Sequence, residues 1–279
     1  MHDLRQLQAE MSQRGLERYF DATLPFLRNG ISLLPDFAPS RIPDIGCSKF
    51  GGQPDLPPGT DWFRNPDTGL LLSFVCQIDR AQAAPFDTEG LLPHKGLLYF
   101  FCDCTRDHRS RVFEPGDRNG WKLYYFEGDP GQLCPAPFPE GTQQLPKVFP
   151  CAPISFASRP ELPLMSAELA RKLRLPKEEA FRDRCWRWTD EATERNPNKL
   201  LGHADPIQDA MEGECEKARQ ASQGAVGTKN HSWRLLLQID SMGKLRMNWA
   251  DDGRLYLWIT EEDLAQRHFH KAQLILQTY

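Results

Sequence analysis

The sequence predicts an α+β fold: a duplicated, largely antiparallel β-sheet core with an N-terminal helix and helices between the repeats. Three observations predict it. The stretch Leu235-Leu236-Leu237-Gln238-Ile239-Asp240 repeats an earlier one, Ser73-Phe74-Val75-Cys76-Gln77-Ile78-Asp79, and both are short apolar runs that end in Gln-Ile-Asp. Each is followed by a second apolar run, Gly96–Phe101 and Gly253–Ile259, and preceded by a Lys-led glycine turn, Lys49–Asp55 and Lys199–Pro206. The chain also carries 23 Pro and 20 Gly in 279 residues, which cuts it into short elements and favours strands and turns over long helices.

The repeated runs read as buried strands. They are short, rich in aromatic and branched residues, and bounded by turn formers. Asp79 and Asp240 stand where the runs stop, and Asp bonds nearby backbone readily and opens turns. Gly96 and Gly253 let the chain re-enter a strand. Strand–turn–strand connections of this kind pair antiparallel. One copy alone leaves an apolar face open, so two copies together complete one core.

Taken in order, residues 3–28 have helical spacing, with Gly15 as a break and Pro25 as the end. Ile31, Leu33 and Leu34 suggest a first strand. Pro54–Gly59 is a rigid turn, because each proline fixes its own dihedral and restricts its neighbour. Trp62 and Phe63 are expected to pack that turn on the sheet. Trp121–Phe126 and residues 145–160 read as further strands, and residues 163–195 and 207–220 as helices. Lys244–Trp249 is expected to be a middle strand of the second repeat. Thr260-Glu261-Glu262-Asp263 is a capping-box-like start to a short helix over Leu264–Phe269, and residues 272–277 read as a closing strand. The organisation is one domain, 1–279. It divides into an N-terminal helix and connector (1–45), a first pseudo-repeat with inserted loops (46–160), a helical connector (161–195) and a second pseudo-repeat (196–279).

Charge and composition narrow the function. Net charge is −4 and no basic face is evident, so direct nucleic-acid binding is not expected. No apolar run is long enough to span a bilayer, and the N-terminus lacks a signal pattern. The expectation is a soluble cytoplasmic protein without membrane association. Eight scattered cysteines fit free thiols better than a disulfide framework.

Few residues invite chemistry. Lys49, Gln77, Asp79, Lys199, Gln238 and Asp240 recur between the copies. A functional reading gathers them in a pocket between the repeats, with the carboxylates serving acid/base work or holding a metal. The ordinary reading has the aspartates capping turns, the amides bonding neighbouring strands, and the lysine stems packing on the sheet. Lys49-Phe50-Gly51-Gly52 lacks the spacing of a phosphate loop. Cys102 and Cys104, with Cys76, His94 or His108, lack the paired motif of a zinc site. No catalytic residue, metal or cofactor is expected.

The Lys-Phe-Gly-Gly turn, the strand ending Cys-Gln-Ile-Asp, and Gly-Leu-Leu-Tyr-Phe-Phe resemble the YwqG-like family. So do Lys-Leu-Leu-Gly-His, Leu-Leu-Leu-Gln-Ile-Asp, Gly-Arg-Leu-Tyr-Leu-Trp-Ile and Glu-Asp-Leu in the second half, and together the matches cover residues 46–275. The resemblance implies a bacterial α+β protein with a duplicated sheet. It brings no catalytic residues, and it implies an immunity protein that binds and blocks a cognate toxin. The segments 102–120 and 127–145 depart from simpler members and are candidate partner surfaces. Arg106, His108, Arg109, Arg111, Phe113, Glu114, Asp117 and Arg118 combine Arg and aromatic character, which interface hot spots favour. Glu127, Asp129, Phe138 and Glu140 form an acidic loop suited to the basic surface of a nuclease. The leading expectation is therefore a non-enzymatic protein-binding module. The alternative is an enzyme or small-molecule binder with a site between the repeats.

Overall fold

A computed structural model describes residues 4–13, 15–104, 116–142, 144–163, 167–175, 196–223 and 231–279. The fold is α+β and dominated by sheet. Its strands are β1 (Arg28–Pro35), β2 (Lys49–Phe50), β3 (Asp55–Leu56), β4 (Ser73–Asp79), β5 (Leu97–Cys102), β6 (Trp121–Phe126), β7 (Cys134–Pro135), β8 (Ala152–Glu161), β9 (Lys199–Leu201), β10 (Trp233–Asp240), β11 (Arg254–Thr260) and β12 (Gln273–Gln277). Ten of them form one curled sheet in the order β12-β11-β10-β9-β1-β8-β2-β4-β5-β6, and β3 pairs with β7. Every pairing is antiparallel.

That order is a two-fold repeat about the β1/β8 pair. Strands β2, β4, β5 and β6 run outward on one side, and β9, β10, β11 and β12 run outward on the other. The centre is exchanged. Strand β1 precedes the first repeat in sequence but pairs with β9 of the second, Ser32 opposite Lys199. Strand β8 precedes the second repeat but pairs with β2 of the first, Pro153 opposite Lys49. Residues 1–45 thus contribute a central strand as well as a helix and a connector. A β-bulge also recurs: the β4/β5 register shifts between Phe74 and Cys76, and the β10/β11 register between Leu235 and Leu237. Each shift falls on a fully buried residue, Val75 or Leu236, so the bulge is a retained feature of the repeat.

The sheet separates apolar clusters on its two faces. The inner face joins both repeats through Phe50, Leu98, Phe100, Leu200, Leu237 and Leu257, among others. The outer face carries one cluster per repeat, around Phe74, Tyr99 and Phe101 in the first and around Leu235, Tyr256 and Trp258 in the second. Trp62 and Phe63 pack edge-on against Phe101, as expected of the turn they follow.

The helices are short. Leu4–Gln13 is α1, Phe20–Thr23 α2, Arg80–Ala83 α3, Ala167–Lys172 α4, Glu212–Gln223 α5 and Glu261–Ala265 α6. The expected helix over 3–28 breaks at Gly15. This glycine adopts φ +70, and Leu16 N–H donates to the Met11 carbonyl, a left-handed cap that turns the chain. Thr260 caps α6 by accepting from the Asp263 N–H, as its motif implied.

Two expectations need correction. Lys244–Trp249 is not a strand: Gly243–Leu245 is a 3-10 turn closed by a Met242–Met247 bridge. Leu245, Met247 and Trp249 are all buried, so the alternation recorded burial, and the left-handed Arg246 at φ 54 bends the chain between them. The helix expected over Leu264–Phe269 ends at Ala265 and gives way to a 3-10 turn, Phe269–Lys271. Most of the helical segment expected within 163–195 lies outside the described residues.

Candidate functional site

Four of the six recurring residues, Lys49, Gln77, Lys199 and Gln238, build two separate networks, one per repeat, on the outer face. In the first, Lys49 Nζ donates to Asp55 Oδ2 at 2.8 Å. The Gln77 amide clamps the same aspartate from both sides: Oε1 accepts from Asp55 N–H at 2.9 Å and Nε2 donates to Oδ2 at 2.6 Å. Gln77 Nε2 also donates to the Cys47 carbonyl at 2.8 Å, and the Tyr99 hydroxyl donates to the Asp55 carbonyl at 2.5 Å.

The second network repeats these five bonds. Lys199 Nζ lies 2.8 Å from Asp205 Oδ2. Gln238 Oε1 accepts from Asp205 N–H at 2.9 Å, and Nε2 donates to Asp205 Oδ2 at 2.9 Å and to the Pro197 carbonyl at 2.6 Å. Tyr256 donates to the Asp205 carbonyl at 2.8 Å. Buried polar groups require such partners, and each network pins the turn after β2 or β9 onto the sheet.

Asp79 and Asp240 sit at matching strand ends with different tasks. Asp79 accepts from Ala81 N–H and caps α3. Asp240 accepts from Arg254 Nε at 2.9 Å. The backbone N–H of each is held by the residue before the lysine: Asp79 N–H donates to Ser48 Oγ and Asp240 N–H to Asn198 Oδ1.

Among the described residues, no hydrogen bond or ion pair joins Lys49 or Asp79 to Lys199 or Asp240. Strands β8 and β1 separate the lysines, three strand spacings or about 14 Å. The structure therefore divides these six residues between the two repeats and does not gather them in one pocket.

The copies also differ in their bonds: Gly46 N–H donates to Asp55 Oδ2 at 2.9 Å in the first alone, and Arg254 Nη1 to the Asp205 carbonyl at 2.6 Å in the second alone. Glu161, at the end of β8, adds a second carboxylate to the second network. It accepts from Lys199 Nζ at 3.1 Å, from Arg159 Nε at 2.6 Å and from His203 N–H at 2.8 Å. A Cβ on Gly30 would stand 2.5 Å from Glu161, and one on Gly202 2.2 Å from it. The two glycines thus leave the room this side chain occupies. In the first network Cys151 lies beside Gly52 instead. Burial opposes the Asp205 charge, but the Lys199 ammonium outweighs it and holds the carboxyl at about 2. Burial, then Arg28, pushes the His203 imidazole down to about 4. The ring is therefore neutral near pH 7, with Nε2 donating to the Phe26 carbonyl at 2.9 Å.

Asp55, Asp205, Tyr99, Tyr256 and Glu161 are absent from the sequence-derived candidates. The first four had a signal: each aspartate lies six residues after its lysine, and each tyrosine three after its glycine, in both copies. Glu161 has no counterpart and gave none.

Of the candidate partner surface, Arg106, His108, Arg109, Arg111, Phe113 and Glu114 lie outside the described residues. Asp117 accepts from Asn119 N–H. The Arg118 guanidinium donates to the Ala272 carbonyl at 2.8 Å and to that of His270, tying the end of the first repeat's insertion to the second repeat. Glu127 pairs with Arg267 at 2.8 Å, Asp129 caps a 3-10 turn through Gly131 N–H, and Phe138 packs 4.7 Å from Trp62. Glu140 is exposed.

A cleft of about 480 Å³ lies between the repeats at one end of the sheet. Residues 90–94 form one wall, and Arg234, Glu261 and Arg267 the other. Among the described residues, no group of three or more His, Cys, Asp or Glu is placed to hold a metal ion. Nor is any helix long and apolar enough to cross a membrane.

The sequence profile of a family described as "Domain of unknown function (DUF1963)" matches residues 48–278. The chain belongs to this family. No curated protein matches the chain. The DUF1963 match begins at Ser48, the residue that receives the Asp79 N–H, and takes in both networks apart from the Cys47 carbonyl. It leaves out β1, so the strand at the centre of the sheet lies upstream of the matched region.

Proposed function

We propose that this chain is a non-enzymatic protein-binding module of the YwqG-like kind. On this reading it is an immunity protein that binds and occludes a cognate toxin in the bacterial cytoplasm. The observation that supports the reading is the division of labour between recurring and non-recurring polar residues. Lys49, Gln77, Lys199 and Gln238 are spent on internal bonds in both repeats. The non-recurring loop after β6 exposes Glu140, and with it Glu127 and Asp129, whose bonds to Arg267 and Gly131 N–H lie at the surface. Carboxylates displayed this way complement the basic surface with which a nuclease holds its substrate, and such complementarity speeds and selects encounter.

The test is co-expression with the product of the neighbouring gene, followed by affinity capture of the full-length chain. A stoichiometric complex, protection of the host, and loss of both in Glu127→Lys combined with Glu140→Lys are expected. A chain that forms no complex and confers no protection overturns the proposal.

A further inference from the structure

The cleft between the repeats has a chemistry of its own. Its volume, about 480 Å³, falls in the range of small-molecule sites, roughly 300–1,000 Å³. Leu91 and Pro93 from the first repeat and Leu264 and Ala265 from the second give it an apolar floor. That floor is anchored, because Leu92 and Leu264 belong to the central core and are each only 3% exposed. The loop forming one wall is fixed by Asp87, whose carboxylate accepts from Leu91 and Leu92 N–H.

Above the floor stand two guanidiniums. Arg234 is held along one edge: Nε donates to Glu261 at 2.8 Å and Nη1 to Glu89 at 3.4 Å. Its Nη2 has no partner among the described residues, so an oriented donor remains. Arg267 follows α6 in a left-handed conformation, φ 59, and its guanidinium pairs with Glu127, both side chains 53% exposed. An exposed pair of that kind yields readily to a competing carboxylate. Arg28 adds to the positive field, since burial and then Arg234 lower its pKa. Arg234, Arg267 and the nearby Arg28 are matched by Glu261, Glu89 and Glu127, so an incoming carboxylate is held by the Arg234 Nη2 donor and by taking the place of Glu127 on Arg267, which suits a monoanion better than a dianion.

We propose that this cleft binds a small organic carboxylate with an apolar body, its carboxylate on Arg234 and Arg267 and its body on Leu91 and Leu264. The site is distinct from the two polar networks and does not depend on the protein-binding proposal.

Calorimetric titration of the full chain with octanoate, octylammonium, 1-octanol and inorganic phosphate tests it. Octanoate is expected to bind one site saturably, and octylammonium not at all. Arg267→Ala, a change at an exposed side chain that leaves the fold intact, should weaken octanoate about tenfold, as loss of a charged hydrogen bond does. Arg234→Lys, which keeps the charge but loses the fork, should weaken it as well. Any of three results overturns the proposal: no octanoate binding at millimolar concentration, octanoate binding unchanged by Arg267→Ala, or phosphate or 1-octanol binding as tightly as octanoate.

Discussion

Lys199 and Glu161 lie 38 positions apart in the chain, yet the ammonium meets both carboxylate oxygens at 3.1 Å. The bond ties the end of β8 to β9, and it has no equivalent at Lys49. Glu161 also neutralises the buried Arg159. Lys199 keeps Asp205 at 2.8 Å, so losing Glu161 removes one of its two carboxylates, a charged hydrogen bond worth about 1.5–3 kcal/mol. Glu161→Ala is therefore expected to lower unfolding stability by that amount in urea titrations. Wild-type stability in the variant would mean that water or other side chains replace the carboxylate without loss.

Acid should weaken the fold in two stages. The His203 imidazole stands at about 4 against an ordinary 6.5. The unfolded chain therefore takes up its proton first, and the contribution is whole above pH 6.5 and lost as pH falls to 4. The shift corresponds to roughly 3 kcal/mol. Asp205, at about 2 against 3.8, contributes fully above 3.8 and loses that contribution as pH falls toward 2. Stability measured by denaturant at stepped pH should show both slopes, and His203→Gln should abolish only the upper one.

Gly202 and Gly52 share φ +72, so alanine is strained at either. The difference lies in what the new methyl meets. At Gly52 the nearest atom is Cys151 Cβ at 3.1 Å, and at Gly202 it is Glu161 Oε2 at 2.2 Å. Gly52→Ala is expected to cost about 1–2 kcal/mol and Gly202→Ala about 3 kcal/mol or more. Melting temperatures of the two variants decide it, and equal losses would contradict the role given to Glu161.

Tyr99→Phe and Tyr256→Phe each remove one hydroxyl bond to an aspartate carbonyl, worth about 1 kcal/mol. The two networks share no contact among the described residues, so the losses should add in the double variant to within about 0.5 kcal/mol. Stronger coupling would revive a common site between the repeats.

How much of this was legible depends on whether a residue recurs. Gln77 and Gln238 stand out in the sequence because the same backbone frame needs the same amide twice, and the paired aspartates and tyrosines carry that signal in their spacing. Glu161 exists in one copy, and only the glycines at 30 and 202 that make room for it hint at its place. The exchange of β1 and β8 was hidden for another reason. Which strands become neighbours is fixed by long-range pairing, and local apolar runs such as Ile31–Leu34 do not record it. Lys244–Trp249 misled because alternation reports which side chains are buried, and a 3-10 turn that buries every second residue gives the same pattern.

The central exchange also bears on how such a chain can be cut or assembled. Divided in the loop before β8, either half carries a strand meant for the other and lacks the strand meant for itself. The register of β1 against β8, Ile31 opposite Ser158, offers a half-length chain one way to satisfy both needs, which is to trade arms with a second molecule. The full-length protein is in this sense an intertwined dimer written on a single thread. Only a cut in the loop before β8 leaves each half holding the other's innermost strand; a cut in the connector over 161–195 leaves both β1 and β8 on the N-terminal piece.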